Sequence, residues 1–288
     1  MQVVRHILEL REQVAAARAD NLTIGFVPTM GALHAGHARL IETARAKTGF
    51  VVVSIFVNPT QFGPNEDFDR YPRTPDGDFE ICRGAGADLV FMPETTEVYP
   101  AGFQGTTVEV PNLGSRLCGA FRPGHFKGVA SIVLKLLNMA NPDLAFFGEK
   151  DYQQLVLIRR MVDDLNLPVG IEGVPTVREA DGLALSSRNR YLGKSDRKKA
   201  VALWLALQAA CDAVRQGEHD ANVIRQILRS SIESQSRFQL QYADVVHGET
   251  LAPLNRLAEP IPARALVAAY LGTTRLIDNV ALPAVSTS

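Results

Sequence analysis

Hydrophobic residues in the first half of the chain fall alternately into short continuous runs and into stretches with helical spacing. The short runs, which are typical of strands, lie at 22–28, 50–57, 87–93 and 144–148. The run FVVVSIFV is almost entirely apolar, as expected for a strand that is buried on both faces. Helical spacing occurs at 1–20, 36–47, 75–86, 127–140 and 151–165. This repeated β-α-β order predicts a mostly parallel sheet with right-handed crossovers.

The pattern changes after residue 175. Helical spacing continues, but three alternating strands then follow one another at 239–247, 264–271 and 273–281, after helices at 195–216 and 220–234. We therefore predict an α/β protein with two domains. Residues 1–175 form a Rossmann-like domain with a parallel sheet, and residues 176–288 form a smaller α+β domain. The tail after Pro283 is expected to fray.

Composition and charge narrow the functions that the chain can have. Its 288 residues include 30 basic and 31 acidic side chains, so the formal net charge is −1. This balance gives no global attraction to nucleic acid or to an anionic membrane, and any anion must be bound by a local cluster. Three widely spaced cysteines argue against a disulfide framework and fit reduced thiols in the cytosol. Neither a secretory signal nor a membrane span is predicted.

The first candidate site is the segment PTMGALHAGH, residues 28–37, which follows a predicted strand and opens a predicted helix. In an open α/β sheet, ligands bind beyond the carboxyl ends of the strands, and a helix N-terminus favours phosphate. His34 and His37 share one helix face, where their imidazoles can donate hydrogen bonds to phosphate oxygens. Incidental surface histidines and a zinc site are the alternatives. A structural zinc site needs four ligands, and no convincing partners lie nearby in the sequence.

Two further segments carry groups that suit phosphate. Residues 147–154, FGEKDYQQ, again follow a predicted strand and open a helix. In this segment Lys150 can neutralise a phosphate, and Asp151 can cap the helix or hold Mg²⁺. Residues 181–190, DGLALSSRNR, lie just beyond the predicted domain boundary, and Arg188 with two serines supplies donors for phosphate oxygens. Taken singly, the first segment could be a solvated turn, and the second a helix cap or an ordinary loop.

A candidate for binding a small polar substrate stands at the end of the strand 50–57. Gln61, in the segment NPTQFG, offers an amide donor and acceptor there. A buried structural glutamine is an equally good interpretation. The chemistry of the polar loops 71–74 and 122–128 does not by itself assign a function to them.

Together these segments resemble the pantothenate synthetase (pantoate–β-alanine ligase) family, which belongs to the nucleotidyltransferases with an H-x-G-H motif. The resemblance runs from Phe26 to Ala281. It lies in the strings FVPTMGALHAGH, FVNPTQF, YPRT, RPGHFKGV, FFGEKDYQQL and DGLALSSRN, in this order and spacing. The H-x-G-H motif alone is shared with other adenylyl- and cytidylyltransferases, whereas the joint set is far more specific.

The resemblance implies a role for each matching residue. ATP would be bound by Met30, Gly31, Ala32, Leu33, His34, Ala35, Gly36, His37, Gly148, Glu149, Lys150, Asp151, Val177, Leu185, Ser186, Ser187 and Arg188. The catalytic members of this set would be His34, His37, Lys150 and Arg188. Gln61 and Gln154 would bind pantoate, and Gln61 would also contact β-alanine. Gly77 stands where the family has one member of an acidic pair, so the metal ligands are left open.

The implied reaction is the ATP-dependent condensation of (R)-pantoate with β-alanine to pantothenate, a step of coenzyme A biosynthesis. It would pass through pantoyl-adenylate and release AMP and pyrophosphate. ATP would be a substrate, accompanied by Mg²⁺, and the smaller domain would act as a lid. The resemblance further implies a cytoplasmic homodimer without nucleic-acid or membrane partners. Two other functions remain open: a plain nucleotidylyltransferase, and a nucleotide-binding regulator without catalysis.

Overall fold

The computed structural model describes residues 1–64, 66–100, 102 and 105–284. The last four residues of the tail that the sequence predicts to fray, 285–288, lie outside the described residues. The chain separates into two compact units. The first comprises Met1–Glu149 and Gln154–Thr176, and the second comprises Lys150–Gln153 and Val177–Ser288.

Six parallel strands form the sheet of the first unit within the described ranges. They are β1 Gln2–Val4, β2 Ile24–Thr29, β3 Phe50–Ile55, β4 Leu89–Phe91, β5 Leu144–Gly148 and β6 Gly170–Val174. Their order across the sheet is β1-β4-β3-β2-β5-β6, with every pair parallel. Because strands in such a sheet are covered on both faces, β3 is apolar at nearly every position, as its sequence predicts.

Helices cover both faces of this sheet. The helices are α1 Ile7–Ala19, α2 Ala35–Lys47, α3 Pro75–Gly84, α4 Thr95–Val98, α5 Pro111–Gly114, α6 Cys118–Phe121, α7 His125–Ala140 and α8 Tyr152–Asp164. Right-handed crossovers place α2 and α3 on one face and α1, α7 and α8 on the other. On the first face, Ile41 of α2 and Cys82 of α3 share a buried core with strand residues such as Val53.

The direction of the chain reverses in the middle of the sheet. From β2 the chain crosses to β3 on one side, whereas from β5 it crosses to β6 on the other side. β2 pairs with β3 from Ile24 to Thr29. The ladder between β2 and β5 is shorter. Within the described residues it comprises only the pairs Gly25–Leu144 and Phe26–Ala145, and both strands continue beyond these pairs. A reversal of this kind opens a crevice at the carboxyl ends of the two central strands, where ligands bind in open α/β sheets.

The second unit is built from helices packed on an antiparallel sheet. Its helices are α9 Lys194–Lys199, α10 Ala202–Arg215 and α11 Ala221–Glu233, and its strands are β7 Phe238–His247, β8 Ala263–Leu271 and β9 Thr274–Ala281. The strand order is β7-β8-β9. The core joins Leu207 of α10, Ile224 of α11 and Val267 of β8. The predicted α/β class, with a Rossmann-like parallel sheet and a smaller α+β part, is confirmed.

Three element predictions need correction. The helix predicted over 1–20 begins at Ile7, because residues 2–4 instead pair with β4 as the edge strand β1. The helix predicted over 195–216 is divided into α9 and α10 by a turn at Ala200 and Val201. The edge strand β6 has no counterpart among the predicted strands, since its sequence GIEGV contains two glycines and little apolar surface.

The three cysteines are buried and are not joined in disulfides. Burial, with a smaller contribution from the charge of Asp78, raises the pKa of the Cys82 thiol to about 12. Burial also raises the pKa of the Cys211 thiol. Both thiols therefore stay protonated at neutral pH.

Candidate active site

The turn after β2 is held by a buried carboxylate from α3. Asp78, which is 2% exposed, accepts hydrogen bonds from the amide of Ala32 at 3.0 Å and from the amide of Leu33 at 2.8 Å. The hydroxyl of Thr74 also donates to Asp78, at 3.1 Å. Gly31 has φ +78°, and a Cβ there would lie 2.9 Å from the Asp78 carboxylate. Asp78 therefore fixes the turn, a role that the sequence did not suggest.

The rings of both histidines accept hydrogen bonds from backbone amides of this turn. His34 caps α2, and its Nδ1 accepts a hydrogen bond from the amide of Gly36 at 3.1 Å. Nδ1 of His37 accepts from the amide of His34 at 3.3 Å, and the ring centroids are 4.1 Å apart. Since both Nδ1 atoms are acceptors, each neutral ring carries its hydrogen on Nε2. Each ring thus has its N–H group at Nε2, and such a group can donate to a phosphate oxygen.

The same geometry weighs against the zinc alternative. A metal bound at Nε2 would require the ring hydrogen on Nδ1, and this would break the bonds to Gly36 and His34. Among the described residues, no group of three or more histidine, cysteine, aspartate or glutamate side chains is arranged to hold a metal ion.

Gln61 has its side chain oriented by the buried residue Asn58. Nδ2 of Asn58 donates to Oε1 of Gln61 at 3.1 Å, and Nε2 of Gln61 donates to the sulfur of Met30 at 3.0 Å. The Oδ1 atom of Asn58 accepts from the hydroxyl of Tyr99 at 2.8 Å, which fixes the Asn58 amide in turn. Gln61 therefore directs its donor end toward the turn after β2, and its second N–H can donate to a substrate oxygen.

The backbone of Gln61 is held by residues that the sequence left unassigned. Nδ1 of His125 donates to the carbonyl oxygen of Gln61 at 2.8 Å, and Nη1 of Arg122 donates to Nε2 of His125 at 2.9 Å. Arg122 also forms a bidentate pair with Glu66, with two distances of 2.6 Å. Burial by itself would raise the pKa of the Glu66 carboxyl, but the hydrogen bonds and charge of Arg122 outweigh it and lower the pKa to about 2. The pair is therefore ionised at neutral pH.

We expect Glu66→Gln to lower the melting temperature at pH 7, because it removes the charge that pairs with Arg122. A carboxyl with a lowered folded-state pKa contributes stability above its unfolded value of 4.5 and loses it as the pH falls toward about 2. The difference between the variant and the wild type should therefore shrink over this range. Thermal unfolding from pH 7 to pH 3 measures it. The control is Glu42→Gln, which removes an exposed pair with Arg39 and should change little; a constant difference at every pH would contradict the assignment.

Gly128 of α7 lies directly against the turn that carries Gln61. A Cβ at this position would lie 2.3 Å from the carbonyl oxygen of Thr60 and 2.8 Å from Cα of Gln61. We expect Gly128→Ala to destabilise the protein by about 1–3 kcal/mol, as overpacking does, and to displace Gln61. The family resemblance, which makes Gln61 a pantoate ligand, implies that KM for pantoate would then rise. Denaturant unfolding and steady-state kinetics check both effects. Gly84→Ala is the control, because a Cβ there meets nothing within 4 Å; equal effects of the two variants would refute this account.

The predicted site residues are divided between the two units. The first unit holds Met30 to His37, Gln61, Gly148, Glu149 and Gln154, and the second holds Lys150, Asp151, Val177 and Leu185 to Arg188. The structure brings Met30 and Gln61 together, as described above. Gly148 ends β5, beside the strand that leads into the histidine turn. Gln154 is partly buried in the first turns of α8.

In the second unit, an ion pair and local hydrogen bonds shape the segments that carry the predicted phosphate ligands. Nζ of Lys150 lies 3.7 Å from Oδ2 of Asp151. The amide of Leu185 donates to the carbonyl oxygen of Val177 at 3.0 Å, which closes the loop between them. Ser186 then caps a short 3-10 turn, since its hydroxyl oxygen accepts from the amide of Arg188 at 3.3 Å. Ser187, within the same turn, is buried.

Helices that could cross a membrane, by length and apolar character, are absent from the part of the chain that the structure describes.

Comparison with known proteins gives a consistent result. A family model for pantoate-beta-alanine ligase matches residues 2–281. The chain is 50% identical over 282 residues to pantothenate synthetase of Moorella thermoacetica, covering 98% of this chain and 99% of the relative. The crystal structure of pantothenate synthetase from Thermus thermophilus is similar with a TM-score of 0.92 and 46% identity, covering 98% and 100% of the two chains. Pantoate-beta-alanine ligase from Francisella tularensis, complexed with beta-gamma ATP and beta-alanine, has a TM-score of 0.77 and 34% identity, covering 98% and 97%.

Proposed function

The chain belongs to the pantoate–β-alanine ligase family, and on this premise we propose that it makes pantothenate through an enzyme-bound pantoyl-adenylate. The overall activity is the ATP-dependent ligation of pantoate to β-alanine. In the proposed first step the pantoate carboxylate attacks the α-phosphorus of ATP, and pyrophosphate leaves. The β-alanine amine then attacks the acyl carbon, forming the amide and releasing AMP.

The observation that carries this proposal is the pair of backbone-anchored imidazoles on the turn after β2. A carboxylate is already ionised, so the first step needs no general base, and its barrier is lowered by alignment and by donors aimed at the developing charge. The Nε2–H groups of His34 and His37 are such donors, and Asp78 keeps their turn in place. Lys150 and Arg188 are proposed to add positive charge at the phosphates.

Gln61 supports the proposed binding of pantoate. Because Asn58 occupies the Gln61 oxygen, the amide offers a donor, and the carboxylate and hydroxyl oxygens of pantoate are acceptors. Gln154 is proposed as a second pantoate ligand, and Gln61 is proposed to contact β-alanine as well.

The remaining ATP contacts are proposals from the family motifs. They involve Met30 to His37, Gly148 to Asp151, Val177 and Leu185 to Arg188. The amides of Ala32 and Leu33 already donate to Asp78, so their contribution is to shape the turn. Mg²⁺ is proposed to enter on the phosphate oxygens of ATP. Asp78 is a poor metal ligand, since both of its oxygens accept hydrogen bonds from the protein.

The domain roles, assembly and location are proposals too. Residues 1–175 would bind ATP and pantoate, and residues 176–288 would act as the lid that keeps water from the adenylate. A cytoplasmic homodimer is proposed from the family, and the buried thiols, which form no disulfide, agree with a reducing compartment.

Isotope transfer tests the adenylate directly. With pantoate labelled by ¹⁸O in its carboxylate, amine attack on pantoyl-adenylate leaves one labelled oxygen in AMP. We expect labelled AMP whose steady release needs both pantoate and β-alanine. Unlabelled AMP would reject the intermediate. Pyrophosphate release without amine-dependent AMP would indicate a plain nucleotidylyltransferase, and ATP binding without pyrophosphate release would indicate a regulator.

A further inference from the structure

Two neighbouring residues of β9 bind both segments of the second unit that carry proposed phosphate ligands. Asp278 accepts hydrogen bonds from Nη1 of Arg178 at 2.6 Å and from Nη2 at 2.9 Å. Asn279 donates from Nδ2 to the carbonyl oxygen of Lys150 at 2.9 Å. The side chains of Asp278 and Arg178 are 3% and 17% exposed, so their pair lies mostly away from water. One stretch of strand thus serves as a common support.

Arg178 fastens its own loop as well as contacting the strand. Its Nη1 donates to the carbonyl oxygen of Gly182 at 3.0 Å, and its guanidinium lies 3.7 Å from the centroid of the Trp204 ring. Gly182 has φ +94°, and a Cβ there would lie 2.0 Å from a Trp204 ring atom, so the loop is packed tightly on this ring. Arg178 also forms a backbone bridge with Ala184. The side chain and the backbone of Arg178 therefore both hold the loop.

The residues proposed to bind phosphate come directly after this loop in the sequence. Leu185 bonds to Val177 at the base of the loop, and the Ser186 cap begins at the next residue. A planar guanidinium can make the two parallel bonds to a carboxylate and stack on an aromatic ring at the same time, which an ammonium group cannot do.

We propose that Arg178 is a positioning residue for ATP: its pair with Asp278 sets where Ser186 and Arg188 lie relative to Lys150. This inference rests on the proposed function, which assigns those three residues to the ATP phosphates. A small displacement of groups that align a reacting phosphate slows the reaction strongly. The fixed geometry of this pair is what would hold the loop in one position, and because removal of one partner of a buried ion pair also destabilises a protein, the stability of each variant has to be measured beside its kinetics.

The test compares Arg178→Lys with a matched variant of another Arg–Asp pair in the same unit. Arg225 and Asp244 are 17% and 28% exposed and lie 2.6 Å apart, and Arg225 also donates to the carbonyl oxygen of Val245. Pyrophosphate release gives kcat and the KM values for ATP and pantoate, and thermal unfolding gives the stability of each variant. We expect Arg178→Lys to raise KM for ATP about tenfold and to lower kcat, with KM for pantoate within about twofold of wild type. Arg225→Lys should leave both KM values within about twofold.

Wild-type kinetics in Arg178→Lys would overturn the proposal, as would equal rises of both KM values or the same changes in Arg225→Lys. If Arg178→Lys does not fold, Asp278→Asn, which keeps the side-chain shape, is measured with the same expectations. Lys150→Ala and Arg188→Ala in the same assay separate failure of the proposed ATP site from failure of the positioning role. Unchanged ATP kinetics in both would reject the proposed ATP site, whereas losses in both without an effect of Arg178→Lys would reject the positioning role alone.

Discussion

Replacement of His37 by alanine is expected to slow pyrophosphate release about 100-fold or more, as loss of one transition-state donor does. The alanine variant loses two things: the Nε2–H donor and the Nδ1 atom that accepts from the amide of His34. The fold should survive, because α2 keeps its His34 cap. Rapid-quench measurement of pyrophosphate with pantoate and ATP, without β-alanine, isolates the first chemical step.

Two further substitutions separate the donor from the structural bond. His37→Asn keeps an acceptor near the position of Nδ1 but has no group at Nε2, so it should be as slow as the alanine variant. His37→Gln can place an amide N–H near the position of Nε2 and should retain more activity. A well-folded His37→Asn variant with a nearly normal rate would mean that His37 only shapes the turn.

Replacement of Lys150 by alanine is expected to cost a comparable factor, about 100-fold in the same first step, because the proposed mechanism places this positive charge beside the reacting phosphates. The backbone of Lys150 is held by Asn279, so the position of this residue does not depend on its side chain. The side chain is only 19% exposed, which restricts where its ammonium can lie. Single-turnover pyrophosphate release measures the effect, and KM for β-alanine should not change.

The control for Lys150 is a lysine of the same unit outside the proposed site. Lys199→Ala removes an exposed hydrogen bond to Ser236 and should leave the rate unchanged. Lys150→Arg keeps the charge on a bulkier group and should recover part of the loss. Normal ATP turnover in Lys150→Ala, or a similar loss in Lys199→Ala, would remove Lys150 from the mechanism.

The spacing of hydrophobic residues was sufficient to predict the buried elements, but it gave only a weak signal for the strands at the edges of the sheet. β3 is apolar at nearly every position and was predicted from that alone. The three-residue strand β1 could not be distinguished from the helical pattern that follows it, because so short a segment has no hydrophobic period of its own. The turn that divides α9 from α10 contains no glycine or proline, so tertiary packing decides it.

The sequence pointed to the histidine turn because its motif is continuous and follows a strand. The bonds between His34, Gly36 and His37 are local, and a sequence with this spacing can suggest them. Two supports of the Gln61 backbone were missed because they come from a distant part of the chain: Arg122 and His125 are 61 and 64 positions from Gln61. The sequence signal for these supports is the loop 122–128, which contains glycine and proline together with an arginine and a histidine that have no other explanation.

The burial of every native thiol has a practical consequence for fluorescence experiments. Maleimide dyes react with thiolates that solvent can reach, and Cys82, Cys118 and Cys211 are all buried. A cysteine introduced at an exposed site, such as Leu205→Cys on α10, where the native side chain is 57% exposed, is therefore the preferred point of attachment. A dye can thus be attached to the folded enzyme with all native cysteines retained, and the unmodified chain serves as the labelling blank.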